Sequence, residues 1–287
     1  MSIKERHIMD TWEGAVKPSK EIREQKLILD NGEEHIEGII CFPVESKEKY
    51  PTVVIVHGFG GNYHFYTGNI ARALAESGFA AYAFNLRNPD TRVMLHTSVL
   101  TEAETLSAVL DRIERFPWVD RKRLYLLGES QGGFVSAYVS AVRAGDPQKD
   151  DVRGLVLYYP AFVLQDDAKR RNPRWKEEGY EWPRTEVIGQ NQVSGTYSRD
   201  ALSFDIYDVV KAYAHPVLIV HGTADPVVPV SYSEKAVKTY KQAKLKVIEN
   251  AGHGFYFGEP FEQSVRYTVD CLRKWSEDAF TMEDKAE

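Results

Sequence analysis

The chain has 287 residues, 43% of them hydrophobic, and a net charge of -6 spread over interspersed basic and acidic side chains. That length suits one large α/β domain or two small ones with an ample core, and the acidic balance points away from nucleic acid as a partner. The first twenty residues, MSIKERHIMDTWEGAVKPSK, mix charges of both signs without an apolar stretch, and no apolar run elsewhere is long enough to span a bilayer. Neither a secretory signal nor a membrane anchor is therefore expected. Cys41 and Cys271 are far apart and lack metal-ligand spacing, so no disulfide framework, zinc site or other cofactor is expected, and a reducing cytoplasm fits this usage.

In chain order, residues 22–30 and 33–43 read as two strands joined at Asn31-Gly32, a pair that readily supplies positive φ in a tight hairpin. TVVIVH, 52–57, is almost wholly apolar and β-branched, the pattern of a strand buried on both faces of a parallel sheet. Helical periodicity over 65–77 leads to the strand FAAYAF from Phe79, and a second helix over 101–115 leads to the strand RLYLLG, 123–128. A helix over 131–144 and the strand GLVLYY, 154–159, continue the alternation, which specifies a βαβ architecture.

The alternation breaks over 160–215, a stretch rich in charge, Trp, Tyr and Pro and far longer than an ordinary connection. It reads as a lid inserted over the active-site face. PVLIVHG from Pro216, a helix from Ser231, the strand KLKVIE from Lys244 and a closing helix over 261–275 complete the pattern. The expected fold is thus α/β, a mostly parallel central sheet flanked by helices. Its core spans 22–159 and 216–278, with an N-terminal extension over 1–21 and a C-terminal tail over 279–287.

Gly128-Glu129-Ser130-Gln131-Gly132 fits GxSxG and lies on a strand-to-helix corner. The bare pattern arises by chance in about one chain in ten of this length, but on such a corner it has mechanical meaning: the serine sits on a strained turn, and residues two before and two after it must lack side chains. Taken alone, Ser130 could also be an ordinary helix N-cap. Where such an elbow carries a triad, the acid and then the base follow on loops after later strands. Asp225 in HGTADPVVP follows the strand PVLIV, and His253 in NAGHGF follows KLKVIE.

His253 would take the Ser130 proton during attack while Asp225 orients the imidazole and stabilises its charged form. Asp205, Asp208 and Glu249 are rival carboxylates, and Asp225 by itself could be a turn residue before Pro226. His7, His35, His64, His96, His215 and His221 read as structural or solvated. In His57-Gly58-Phe59-Gly60-Gly61, the backbone N–H of Phe59 pairs with that of Gln131 as an oxyanion hole, and His57 braces the loop.

HGFGGN (57–62), GESQGG (128–133), HGTADPVVP (221–229) and AGHGF (251–255) together resemble the α/β-hydrolase superfamily over nearly all of 22–278, and within it the bacterial cinnamoyl, or feruloyl, esterases. The resemblance implies hydrolysis of hydroxycinnamoyl esters and a lid whose polar residues meet the aromatic ring. Carried over through PAFVLQDD and TYSRDALSFDIYDV, those lid residues fall on Asp167 and Tyr197; read on their own, both are equally solvated lid positions. Two departures stand out. NLRNPDTRVMLH replaces a glycine-rich segment after FAAYAF, and Glu129 replaces the usual elbow His.

The expected function is a serine carboxylester hydrolase working through an acyl-enzyme on a small-molecule ester, with a homodimer left open. A short-chain carboxylesterase, a serine peptidase or amidase, and a non-catalytic receptor are the alternatives; the full Ser130, Asp225 and His253 set argues against the last.

Overall fold

The computed structural model describes residues 21–30, 35–64, 66–86, 93–149 and 151–283. In chain order the elements are β1 (Ile22–Asp30), β2 (His35–Pro43), β3 (Tyr50–Val56), α1 (Tyr66–Glu76), β4 (Ala80–Phe84), β5 (Val93–Met94), α2 (Val99–Ile113), β6 (Val119–Glu129), α3 (Ser130–Ala144) and β7 (Gly154–Tyr158). There follow α4 (Leu164–Arg171), β8 (Thr185–Ile188), β9 (Asn191–Ser194), α5 (Thr196–Ala201), α6 (Ile206–Val209), a 3-10 turn (Val210–Ala212), β10 (Val217–Gly222), α7 (Val230–Thr239), β11 (Ala243–Ile248) and α8 (Gly258–Glu283).

Eight strands form one sheet in the order β1-β2-β4-β3-β6-β7-β10-β11. β1 pairs antiparallel with β2 and β2 antiparallel with β4, and the remaining pairs are parallel. The mostly parallel sheet is as expected. The hairpin expected at Asn31-Gly32 lies outside the described residues, although Asp30 pairs with His35 on either side of it.

The strand pattern explains the layers. Val54 and Val56 of β3 join one apolar cluster with Leu124 and Leu126 of β6, while Val53 and Ile55 join another with Tyr125 and Leu127. Alternate residues of each strand thus serve opposite faces, which requires the continuous apolar runs seen in the sequence. α2 and α3 cover the first face, α1 and α8 the second.

Two points differ from the sequence reading. α8 begins at Gly258 and runs to Glu283, so the chain past residue 278 continues a helix and is no separate tail through that point. Residues 160–215 carry their own elements, and Val193, Ala201, Ile206, Val210 and Tyr213 are fully buried in the cluster that α2 and α3 share. β9 also pairs in parallel with β5 and antiparallel with β8, so the segment that follows β4 and the insertion form one small sheet. A two-residue strand has no periodicity to read.

α3 is fixed at its far end by a buried ion pair. Arg143 Nε donates to Asp151 Oδ1 at 2.9 Å, Nη2 bonds Asp151 Oδ2, and Nη1 reaches Asp111 of α2 at 3.0 Å. At its near end, Glu129 is buried against Tyr66 and Tyr159, with the Tyr159 hydroxyl 3.3 Å from Oε2. Burial pushes the Glu129 carboxyl up to about 8, although hydrogen bonds from Tyr66 and Tyr159 pull it down.

Two outcomes follow for stability. Arg143→Met should cost about 3–5 kcal/mol in urea unfolding, because it leaves the Asp151 carboxylate buried without a partner, and adding Asp151→Leu should restore most of that loss. Glu129 titrates with a raised folded value, so its contribution is full below the ordinary 4.5 and drains as pH rises toward about 8. Thermal melts of Glu129→Gln should accordingly gain on the wild type across that window, by roughly 4–5 kcal/mol at its upper end.

Candidate active site

β6 passes into α3 with no intervening loop: Glu129 ends the strand and Ser130 begins the helix. Ser130 has φ = 49°, in the left-handed region that non-glycine residues seldom occupy. The glycines flanking it are needed for space. A Cβ on Gly128 would strike the Gly132 carbonyl and Ser136 Oγ, and one on Gly132 would strike the carbonyls of Val56 and His57. The first turn of α3 therefore packs directly on the end of β3.

That packing brings the glycine-rich loop after β3 against the serine; an added Cβ on Gly58 would lie 3.1 Å from Ser130 Cβ. His57 fixes the loop. The Leu86 N–H donates to its Nε2 at 2.9 Å, which leaves Nδ1 to donate to the Gly58 carbonyl at 2.7 Å. Both ring nitrogens are engaged with main chain. Phe59 follows, half-buried, and Gln131 is the second residue of α3, where a backbone N–H has no intrahelical carbonyl.

His253 Nε2 lies 2.9 Å from Ser130 Oγ, and His253 Nδ1 lies 2.7 Å from Asp225 Oδ2. Since a carboxylate only accepts, Nδ1 carries the hydrogen and Nε2 is left as an acceptor for the Ser130 hydroxyl. The two loops that deliver these residues are tied together: Thr223 N–H donates to Ile248 O at 3.0 Å and Ala224 N–H to Ala251 O at 3.0 Å. β10 and β11 are neighbours, so acid and base leave adjacent strand ends.

The Asp225 carboxylate is fully buried and has four donors. Oδ1 accepts the Val227 and Val228 N–H groups at 2.8 and 2.9 Å, and Oδ2 faces His221 Nε2 at 3.3 Å as well as His253. Burial alone would raise its pKa. Hydrogen bonds from His221, His253 and the Val228 N–H outweigh burial and hold the group well below the ordinary carboxylate range. It is an anion at any working pH.

Three contributors escaped the sequence reading. His221, read there as structural or solvated, is fully buried, braced by the Val228 carbonyl at 2.8 Å and Ser233 Oγ at 2.6 Å, and its Nε2 stands 3.3 Å from the Asp225 carboxylate. Its four-residue spacing from Asp225 was the available signal. Tyr159, at φ = 36°, packs its ring edge-to-face on the His253 imidazole, with centroids 4.7 Å apart. Glu102 of α2 is buried and accepts a 2.7 Å hydrogen bond from Gln131 Nε2; burial raises its carboxyl to about 7 although that bond lowers it. Nothing in the sequence pattern marks either of the last two.

The two lid positions lie apart from one another in character. Tyr197, on α5, is buried, and its hydroxyl donates to Gln131 Oε1. Asp167, on α4, is half-exposed and ion-paired with Arg170 one turn on; the neighbouring Asp166 is the carboxylate that reaches α7, through the Tyr232 hydroxyl at 2.8 Å. His96 is exposed. Among the described residues no cluster of His, Cys, Asp and Glu is arranged to hold a metal ion, and no helix is long and apolar enough to cross a membrane.

No curated protein sequence matches the chain. Among solved structures it is similar to Est1E from Butyrivibrio proteoclasticus with ferulic acid bound, at TM-score 0.72 and 22% identity over 89% of this chain and 99% of that one. It is also similar to a monoacylglycerol lipase from Paleococcus ferrophilus (TM-score 0.59, 21% identity, 89% and 100% covered) and to a fungal esterase from Rhizomucor miehei (TM-score 0.68, 14% identity, 90% and 85% covered). At these identities the likeness is one of fold. Residues 53–266, from β3 into α8, match the family described as the alpha/beta hydrolase family, and with this fold around that match the chain belongs to it.

Proposed function

We propose that the chain is a serine carboxylester hydrolase, with hydroxycinnamoyl esters as its substrate class. The observation that carries the reading is the unbroken line of hydrogen bonds from Ser130 Oγ through His253 to the buried Asp225 anion. Ser130 attacks the ester carbonyl as His253 Nε2 takes its proton, and the imidazolium so formed is stabilised by Asp225. The Phe59 and Gln131 N–H groups receive the developing oxyanion. His253 then protonates the departing alcohol, and water deacylates Ser130 by the reverse sequence.

The aromatic-acid part draws support from the family-level resemblance of the four motifs and from the ferulic acid bound by Est1E, a protein of the same fold. A second reading, a carboxylesterase of simple acyl groups, is favoured by one observation. The Tyr197 hydroxyl is already engaged by Gln131 and the Asp167 carboxylate by Arg170, so both polar lid groups have protein partners.

Purified protein should turn over p-nitrophenyl acetate, methyl ferulate and chlorogenate, and a fluorophosphonate probe should label Ser130. Ser130→Ala should lower kcat by at least ~10³-fold without loss of the fold. Full activity in that variant would end the serine mechanism, and turnover of p-nitrophenyl acetate with none of either hydroxycinnamate ester would leave the simple carboxylesterase.

A further inference from the structure

One side chain of the insertion touches both residues whose backbone is assigned to the oxyanion. The Tyr197 ring meets Phe59 edge-to-face with centroids 5.7 Å apart, and its hydroxyl donates to Gln131 Oε1. The other end of the Gln131 amide donates to Glu102 Oε2 at 2.7 Å. Relative exposures of Glu102, Gln131 and Tyr197 are 2%, 2% and 3%, so water does not substitute for any of these bonds. In such a setting each bond fixes its partner, since breaking one strands a buried polar group.

Tyr197 is itself held from the insertion side. The Arg171 guanidinium lies over its ring at 5.9 Å, and Arg171 is anchored by Glu186 at 3.0 Å and by Ser198 Oγ at 2.9 Å. Further along α5, Asp200 accepts a 2.6 Å hydrogen bond from Ser98, the N-cap residue of α2. Glu102 sits one turn into that same helix. A closed circuit of contacts therefore runs from α2 through Gln131 to α5 and back to α2.

We infer that Tyr197 is a positioning residue, through which the insertion sets the geometry of the oxyanion hole. The inference rests on the serine-hydrolase reading of the site. The Gln131 N–H shares its Cα with the clamped side chain, so the amide cannot swing while both of its ends are bound. Phe59 lies on a glycine-rich loop held by His57 and by a Gly61 N–H to Gly58 carbonyl hydrogen bond at 3.0 Å, and the Tyr197 ring forms a wall for its side chain. A whole oxyanion donor is worth about 10²–10³ in kcat, and a misaligned one loses part of that. This role differs from recognition of a phenolic hydroxyl on the substrate, because it acts on every ester equally and on the chemical step.

The test uses the full chain with Tyr197→Phe and, separately, Gln131→Leu, which keeps the backbone N–H but removes the clamped amide. Each is assayed on p-nitrophenyl acetate, methyl cinnamate and methyl ferulate, and against an aryl trifluoromethyl ketone, which adds to Ser130 as an oxyanion. The expected result is a fall in kcat of about 10-fold on all three esters, KM within about 2-fold, and a rise in the ketone Ki that tracks the kcat loss. Near-UV circular dichroism reports the fold, and should Tyr197→Phe not fold, Gln131→Leu decides alone. A loss confined to methyl ferulate, or wild-type kinetics in the folded variants, would overturn the inference while leaving the esterase reading intact. No wild-type turnover together with no fluorophosphonate labelling of Ser130 would remove the esterase reading, and the inference with it.

Discussion

The site depends on a reversal made in one residue. β6 must become α3 at Ser130, and the chain does this by holding Ser130 at φ = 49° with no loop to spread the turn. A residue in that region costs on the order of 1–3 kcal/mol and persists only where its surroundings over-determine it. Here they do. The first turn of α3 lies on the end of β3 so closely that Gly128 and Gly132 have no room for a side chain. The same closeness sets the glycine-rich loop beside Ser130, next to the first turn of α3, whose backbone N–H groups have no intrahelical carbonyl. Strain at the serine and the placement of the glycine-rich loop beside it are two results of one piece of packing.

The neighbouring strand repeats the device. β7, which separates β6 from the acid-bearing β10, is followed by Tyr159 at φ = 36°, and the Tyr159 N–H is held by the Val220 carbonyl at 2.8 Å. The ring it presents packs edge-to-face on the His253 imidazole and on Phe255, and so backs the imidazole on one side. Asp225 fixes the imidazole at Nδ1 and Tyr159 fixes its plane, so His253 is oriented by a hydrogen bond and by a surface. Behind them, Glu129 in place of a histidine puts an acid in the core, where burial and not a charged partner governs its titration.

What could be read in advance follows from how local each signal is. β3 and β6 were legible because a strand buried on both faces must be apolar throughout, and the elbow because its two glycines answer a steric demand within five residues. Asp225 was legible because it lies just past such a strand, and His253 because it lies just past the alternating edge strand β11. The brace on Asp225 was partly legible, since His221 lies within the same short segment. Glu102 was not: a glutamate in the first turn of an amphipathic helix reads as solvated until α3 is known to lie against it. The pairing of β5 with β9 joins segments about a hundred residues apart through two residues each, and no periodicity survives at that length. For Tyr197 the sequence marks a polar aromatic in the insertion, while its partner is set by how α5 approaches α3, which only the tertiary structure contains.

The insertion behaves as a wall of the core more than as a flap on it. Val193, Ala201, Ile206, Val210 and Tyr213 share one apolar cluster with α2 and α3, and each is fully buried. Re-exposing a side chain of this kind costs roughly 1.5–3 kcal/mol, so lifting the whole segment would cost about as much as a domain's entire stability. Its polar ties point the same way: Gln165 Nε2 holds the Ala201 carbonyl at 2.7 Å, and Glu186 gathers Arg171, Asn172 and Ser198 into one buried group. A segment fixed by both kinds of contact is present in its final shape before substrate arrives. Whatever selectivity it confers is therefore built into the folded chain, and the side chains that line its inner face act on the reaction through standing geometry and not through closure.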